Sequence, residues 1–266
     1  MGAVDAIGGR TLGQVGHIGG LFNLTVALGG WAIRPFIYRH VRFGRQALYQ
    51  QLVRVGVKSI GIIVLISTCI GLILALQMAP PLNEFGKQDI VANIIAVGVL
   101  RELGPLISAI VLTGFAGASI AAELGTMVVG EEIEALETMA LNPVRFLVVP
   151  RVFATILGLL VLAVLADIMA IGAGALIGVT MLDIPWGVYK SNTLDQAKLA
   201  DFVSGIMKAG VFGALIGLIA CYNGLRVTGG ASGVGRATTL TVVHSIVAII
   251  FADLIFTALF FAMGWN

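Results

Sequence analysis

Five long apolar runs are the feature that most limits the possible fold. They cover Ile60–Leu76, Ile90–Ala122, Val152–Met181, Phe202–Cys221 and Leu240–Met263. A helix needs about 20 apolar residues to cross about 30 Å of hydrocarbon, and each run reaches or nearly reaches that length. None shows the segments of about ten alternating residues that are typical of a membrane barrel. The sequence therefore predicts an all-α integral membrane protein with about five transmembrane helices.

The charge content agrees with this prediction. Only 11% of the 266 residues are charged, whereas soluble domains carry about 25%. Most of the surface therefore need not meet water. No soluble domain or linker interrupts the runs, so we expect one transmembrane domain over residues 59–266, after an N-terminal segment over residues 1–58.

The N-terminal segment is glycine-rich at first and basic towards its end. Basic residues precede the first strong span at Arg34, Arg39, Arg42, Arg45, Arg54 and Lys58. Such a cluster predicts a cytoplasmic start. The apolar stretch "HIGGLFNLTVALGGWAI" is short, and each glycine in a helix costs about 1 kcal/mol. We predict a helix that lies in the cytoplasmic interface, with a sixth span or a re-entrant hairpin as the alternative.

The number of spans sets the topology. From a cytoplasmic start, five spans place Glu123–Arg151 and Asn223–Thr239 in the cytoplasm. They place Pro80–Asp89, Leu182–Asp201 and the C-terminus outside.

Motifs for bound groups or covalent chemistry are missing from the sequence. Cys69 and Cys221 fall in predicted spans, and no metal-ligand spacing appears. The glycine-rich stretch "GGASGVGRAT" resembles a phosphate-binding loop, but Arg236 replaces its lysine and Ala237 its hydroxyl residue. We interpret that stretch as a flexible cytoplasmic turn. We expect a protein that is not an enzyme, with no cofactor, no metal and no nucleic-acid partner.

Two charges interrupt the second run, "NIIAVGVLRELGPLISAIVL". Arg101 lies about ten residues into the span, which predicts a position near mid-membrane. A charge there costs about 2.5–3.5 kcal/mol, so it needs a partner or a polar cavity. Either Glu102 serves a lipid site, or Arg101 makes a structural bond to another span. Asp167 and Asp253, also inside spans, are expected to be structural hydrogen-bonding partners.

The loop after the second run contains the segment "EEIEALETMALNPVRFLVVPR". Ile133, Leu136 and Ala140 follow helical spacing and form one apolar stripe. The remaining faces are acidic, with Glu131, Glu132, Glu134 and Glu137. Asn142-Pro143 is expected to end this short helix. An acidic face beside an apolar ridge suits a protein partner better than an anionic membrane surface.

Three long motifs carry a family resemblance. They are "RELGPLISAIVLTGFAGASIAAELGTM", "EEIEALETMALNPVRFLVVPR" and "ATTLTVVHSIVAIIFADLIFTALFF". Together they resemble the MlaE-type permeases of bacterial ABC lipid transporters, over roughly Val53 to the C-terminus. The resemblance implies a multi-pass homodimer in the bacterial inner membrane, a cytoplasmic ABC ATPase subunit, a periplasmic MCE-domain protein and phospholipid as the transported molecule. It also implies that Glu131–Leu141 is the coupling helix, which seats in the ATPase.

A lipid path is expected at the end of the first span. We predict that Leu72, Leu76, Gln77 and Met78 line a cavity with Arg101 and Glu102 near the dimer axis. Leu72 and Leu76 share a helix face, and a methionine adapts to acyl chains of different length. The prolines Pro80 and Pro81 are expected to stop the helix there.

Repeats of small residues suggest close helix packing. They occur at Gly114, Ala118 and Ala122; at Gly117, Ala121 and Gly125; at Ala170, Gly174 and Gly178; and at Gly205, Ala209, Gly213 and Gly217. Each repeat serves packing within one subunit or a dimer contact. Two other classes of function remain open: an ATP-independent secondary transporter, which often shows inverted repeats, and a structural membrane subunit.

Overall fold

The computed structural model describes residue 16 and residues 19–31, 45–84 and 90–264. Within these residues the regular structure is all helical. Five helical stretches are long and apolar enough to cross a membrane: Gln46–Glu84, Val91–Val129, Val144–Thr180, Leu199–Leu225 and Gly230–Ala262. The predicted all-α membrane fold with five spans is confirmed.

We number the helices in chain order. Helix α1 covers residues 19–31. The others are α2 (Arg45–Val55), α3 (Ile60–Glu84), α4 (Val91–Gly98), α5 (Gly104–Leu112), α6 (Ala118–Val129), α7 (Glu132–Thr138), α8 (Val149–Thr180), α9 (Trp186–Gln196), α10 (Leu199–Leu225) and α11 (Gly230–Ala262). The first span joins α2 and α3 through one 3₁₀ turn, and the second joins α4, α5 and α6.

Helix α8 lies at the centre of the bundle, in contact with α2, α3, α5 and α10. Lipid tails are as apolar as leucine, so helices in a membrane gain stability from close packing. A Cβ atom at Gly213 of α10 would lie 2.8 Å from the Cα atom of Ile156 on α8. Gly71 of α3 leaves no room for a side chain against the carbonyl oxygen of Ala170. Glycine therefore sets the distance between α8 and both neighbours.

Three of the four small-residue repeats pack inside the subunit. They are the repeats that contain Gly117, Gly174 and Gly213, since each of these glycines contacts another helix of the same chain. The repeat that begins at Gly114 is different, because no atom of the described residues lies within 4 Å of the Cβ position of Gly114. Only this repeat keeps an uncovered glycine, so it stays available for a contact with another chain.

Wide helical turns connect the pieces of the second span. The amide of Gly104 bonds to the carbonyl of Val99, five residues earlier, which makes Val99–Leu103 a π-helical turn. A second π turn covers Thr113–Gly117. Such one-residue insertions are frequent at functional sites. The helix therefore widens before Gly104-Pro105 and continues without a break.

The prediction that Pro80 and Pro81 stop the first span is wrong. Both prolines lie inside α3, which ends at Glu84. Proline has no N–H, so it removes the bonds to the carbonyls of Leu76 and Gln77, four residues earlier. The helical φ angle of proline nevertheless allows the last turn to form.

The interpretation of "GGASGVGRAT" as a flexible turn is also wrong. Helix α10 continues to Leu225 and α11 begins at Gly230, so only residues 226–229 form the connection. Gly229 and Gly230 have φ angles of 87° and 68°, which glycine adopts at little cost. Gly229 ends the connection, Gly230 begins α11, and the rest of the stretch forms the first turns of that helix.

A helix that the sequence did not indicate lies in the loop before α10. Helix α9 contacts α4 and α8, and its Tyr189 is 1% exposed. The Tyr189 ring lies against Gly178, where a Cβ atom would come within 2.5 Å of it. Burial raises the pKa of Tyr189 to about 12, so this phenol is neutral at any physiological pH.

The predicted interfacial helix falls partly outside the described residues. Leu24 and Leu28 of α1 pack against the main core. Gly20 leaves no room for a side chain against Tyr222 at the end of α10. The guanidinium of Arg145 lies over the Trp31 ring, 5.6 Å from the ring centroid. The location of helix α1 in the membrane interface stays a prediction.

Candidate functional site

A buried lysine joins three spans. The Nζ atom of Lys208 on α10 lies 2.6 Å from Oε2 of Glu102 in the second span. It lies 2.8 Å from Oδ1 of Asp253 and donates to the hydroxyl of Thr257 at 2.8 Å, both on α11. Thr257 in turn donates to Oε1 of Glu102 at 3.0 Å. We call these four residues the Lys208 network.

The network forms because α10 approaches the second span closely. Gly205, three residues before Lys208, leaves no room for a side chain against the carbonyl of Leu100. The Lys208 side chain is 1% exposed and that of Glu102 is 36% exposed. The ammonium is thus fully enclosed while one carboxylate reaches the surface. Two carboxylates share one ammonium, so the network as a whole favours a cationic group nearby.

Arg101 pairs with a different acid. Its Nε donates to Oδ1 of Asp201, whose Oδ2 accepts the backbone N–H of Lys198 at 3.0 Å. Asp201 lies in the first turn of α10, so Arg101 is level with the end of a span. The mid-membrane position of Arg101 stays a prediction; the structure shows only that Arg101 lies beside the first turn of α10. Arg101 thus has the partner on another span that the structural alternative predicts, and a role for it in a lipid site stays a prediction.

A small pocket opens beside the network. Its lining includes Arg101, Glu102 and Thr257 together with Phe260 and Phe261 of α11. A guanidinium and a carboxylate therefore face a largely apolar opening. Its volume of about 80 Å³ is well below the 300–1,000 Å³ of a typical small-molecule site. One chain alone cannot enclose a phospholipid at this pocket.

The predicted lipid-path residues of the first span lie elsewhere on the chain. Leu72 and Met78 pack beside a second core cluster that contains Ile95 and Ala170. Leu76 is 47% exposed, and Gln77 is exposed. The described residues therefore do not bring these four side chains to Glu102, which faces α10 and α11 instead.

Helix α7 carries most of the predicted coupling residues. Glu132, Ile133, Glu134, Leu136 and Glu137 are inside it, and the glutamates are exposed. The short helix predicted in this loop is thus present. Ile133 and Leu136 are half-buried, and α7 as a whole contacts α6.

Both ends of α7 have strained backbone. Glu131 precedes the helix at φ 59°, and Ala140 follows it at φ 56°. The amide of Leu141 bonds to the carbonyl of Leu136 at 3.0 Å and that of Ala140 to Glu137 at 2.9 Å, a Schellman ending. Ala140 is therefore outside the helix, and its predicted place in the apolar stripe is wrong. The neighbouring Met139, which sequence reasoning missed, is 69% exposed.

A second ionic cluster, also missed from the sequence, lies at the same end as α7. Glu123 of α6 accepts a hydrogen bond from Arg54 of α2 at 2.6 Å and forms an ion pair with Arg151 of α8 at 3.1 Å. Arg151 is 4% exposed and also donates to the carbonyl of Leu147 at 2.8 Å. The sequence signal for this cluster was Glu123 itself, a charged residue directly after the apolar run Ile90–Ala122.

The predictions for the two intramembrane aspartates have different outcomes. Asp253 forms an ion pair with Lys208 through Oδ1, an atom that makes no regular hydrogen bond among the described residues, so a structural role is supported by the ion pair alone. Asp167 is 5% exposed and lies against the Cα atom of Gly104. Its Oδ1 has no hydrogen-bond partner among the described residues, so the expected bond is missing for that atom. No group of three or more potential metal ligands occurs in the described part of the chain.

Comparison with known proteins identifies the family. The family model described as Permease MlaE matches residues 48–259. The chain belongs to the MlaE permease family. The match includes all four residues of the Lys208 network and the whole of α7.

Full-length relatives agree with this assignment. A probable ABC transporter permease protein of Rickettsia felis is 35% identical, over 97% of each chain. The intermembrane phospholipid transport system permease protein MlaE of Haemophilus influenzae is 33% identical, over 96% of this chain and 94% of its own. The TRIGALACTOSYLDIACYLGLYCEROL 1 protein of Arabidopsis thaliana chloroplasts is 37% identical, over 80% of this chain and 61% of its own. This MlaE-family permease is thus a multi-pass membrane subunit of an ABC transporter.

Proposed function

We propose that this permease moves phospholipid between the bacterial inner membrane and a periplasmic MCE-domain protein, driven by ATP hydrolysis on a separate cytoplasmic subunit. The family match over residues 48–259 carries the proposal. The relative from Haemophilus influenzae is named as part of a phospholipid transport system. The permease itself contributes the membrane passage and no catalytic group.

Helix α7 is the proposed contact with the ATPase. Four carboxylates, Glu131, Glu132, Glu134 and Glu137, are exposed around it, and they would meet basic residues at the rim of a cleft. Rim charges mainly steer association, while a buried apolar anchor holds it. Because Ile133 and Leu136 are half-buried against their own chain, Met139 is the most exposed apolar anchor of this segment.

The pocket beside Glu102 is the proposed headgroup contact. Arg101 and Glu102 present opposite charges to the opening, which matches the phosphate and amine of a zwitterionic lipid. Since the pocket on one chain is too small for a phospholipid, we propose that a second copy completes it. In such a homodimer, Leu72, Leu76, Gln77 and Met78 of α3 would supply the acyl-chain surface.

A paired substitution tests the coupling contact. Met139→Asp should reduce the amount of ATPase that co-purifies with the permease and should abolish lipid-stimulated ATP hydrolysis. Met181→Asp is the matched control, because Met181 is 65% exposed at the opposite end of α8. Normal ATPase recovery and activity in both Met139→Asp and Leu136→Asp would exclude α7 as the coupling element. Lipid transfer that proceeds without ATP would instead support a secondary transporter.

The lipid contact has its own test. Glu102→Ala should impair ATP-dependent lipid transfer without dissociating the complex, and Glu102→Gln should be milder if hydrogen bonding to Thr257 matters more than charge. A photo-crosslinking residue at Leu76 or Phe261 should capture phospholipid above the background from Phe251 on the fifth span. Full transfer by Glu102→Ala, with adducts at background level, would leave the Lys208 network a purely structural role.

A further inference from the structure

We propose that a basic pocket between α10 and α11 binds the phosphate of an anionic lipid headgroup in the cytoplasmic leaflet. Its volume is about 330 Å³, within the range of small-ligand sites. Arg226 and Arg236 contribute its charge. Arg226 lies 18 residues from Lys208, about 27 Å along α10. The site is therefore separate from the Glu102 pocket, and it requires neither the ATPase nor lipid transfer.

The charge of this pocket is not neutralised by its lining. In the part of the chain that the structure describes, no carboxylate lines it, and the sequence contains no acidic residue between Asp201 and Asp253. The guanidinium of Arg226 donates to the hydroxyl of Tyr222 and lies 5.2 Å from its ring centroid, which fixes its position. Arg236 makes no hydrogen bond or ion pair with any residue that the structure describes. Guanidinium groups match the oxygen geometry of phosphate.

The pocket lies at the level in the membrane where lipid phosphate groups lie. Helix α11 has 33 residues, or about 50 Å, so it is longer than the hydrocarbon core of about 30 Å. Its apolar part begins at Leu240, four residues and about 6 Å after Arg236. The headgroup layer extends about 5–7 Å beyond the hydrocarbon on each side. Arg236 is therefore level with the phosphate layer on the side of the bundle that carries α7.

An apolar surface continues from the pocket towards the middle of the membrane. Leu240 lines the pocket itself. Val243 and Val247 follow it at helical spacing and are 51% and 48% exposed. A lipid with its phosphate between the two arginines would lay its acyl chains along these residues. A free phosphate ion would make no use of this apolar surface. A protein partner would have to enter the headgroup layer to reach it. A lipid therefore fits the site best.

Native mass spectrometry of the full chain in detergent tests the proposal. The probes are phosphatidylglycerol, phosphatidylcholine and inorganic phosphate, titrated onto delipidated protein. The wild type should bind phosphatidylglycerol more tightly than phosphatidylcholine. Arg226→Gln and Arg236→Gln should each weaken phosphatidylglycerol binding by about fivefold, as expected for one cation at a membrane surface. Arg145→Gln is the matched control, because Arg145 stacks on Trp31 outside the pocket.

The outcomes separate the lipid from other occupants. Charge-preserving Arg226→Lys and Arg236→Lys should retain most of the preference, which excludes a general loss of fold. An unchanged preference in the double Gln variant would overturn the proposal. Equal competition by millimolar inorganic phosphate would overturn the lipid assignment in favour of a soluble phosphate. If the double Gln variant loses ATPase co-purification while its lipid binding is unchanged, the pocket docks a protein instead.

Discussion

The Nζ atom of Lys208 lies 2.6 Å from Oε2 of Glu102, which links the fourth span to the second. Removal of one partner from a buried ion pair costs about 3–5 kcal/mol, because the other charge stays buried. We expect Lys208→Met to lower the free energy of unfolding by up to about that amount, mainly because the more buried Asp253 loses its cation, whereas Glu102 reaches the surface. Thermal unfolding in detergent measures this, with the exposed Lys190→Met as control.

The same network allows a compensation experiment. Combining Lys208→Met with Glu102→Gln and Asp253→Asn removes all charge from it. This triple variant should recover most of the stability that Lys208→Met loses. If the triple variant is as unstable as the single one, the loss comes from packing and not from unpaired charge.

Close packing of α10 on α8 gives a second prediction. A Cβ atom at Gly213 would meet backbone atoms 2.8 Å away, so Gly213→Ala should cost about 1–3 kcal/mol of stability. Gly172→Ala, on the open side of α8 with no atom within 4 Å of its Cβ position, should be neutral or gain up to about 1 kcal/mol. Equal effects of the two substitutions on the unfolding temperature would contradict the packing shown here.

The strained end of α7 gives a third prediction. Ala140 has φ 56°, and a left-handed conformation costs a non-glycine residue about 1–2 kcal/mol. Ala140→Gly should therefore slow hydrogen exchange of the α7 amides. Ala135→Gly, inside the helix, should speed it, since glycine there costs about 0.5–1 kcal/mol. Similar exchange in both variants would mean that Ala140 carries no strain.

Topology gives a fourth prediction. With five spans and a cytoplasmic start, Ser232 in the first turn of α11 should be cytoplasmic and Met263 at its end periplasmic. Asn266, the natural choice for a label, lies outside the described residues. Single cysteines at Ser232 and Met263, after Cys69→Ser and Cys221→Ala, should react with a membrane-impermeant thiol reagent only at Met263 in intact cells. The reverse pattern would indicate an even number of spans.

The spans could be predicted from the sequence because hydropathy is a local property. The partners of the charges could not, because Glu102 and Lys208 are 106 residues apart and their contact depends on how α10 packs. Lys208 itself stands inside the apolar run Phe202–Cys221 and was a usable signal, since charges within spans are rare and functional.

The ends of the helices were harder to predict for a different reason. Proline usually ends a helix, but Pro80 and Pro81 stand within the last turns of α3, where few hydrogen bonds remain to be lost. The signal Asn142-Pro143 placed the end of α7 a few residues too late, because Ala140 adopts a conformation that usually requires glycine and the helix ends at Thr138. The partner of Arg101, Asp201 at the start of α10, could not be predicted either, because α9 and its packing on α4 leave no signal in the hydropathy.

The π turn at Thr113–Gly117 has a consequence for insertions and deletions in this family. Each π turn adds one residue to an α-helix, and one residue corresponds to a rotation of about 100°. Deleting a single residue there would leave a continuous apolar helix of nearly the same length. It would, however, turn α6 about its axis and carry Glu123 away from Arg54 and Arg151. Natural length variation should therefore be tolerated in the loops of this protein and selected against in the middle of its second span.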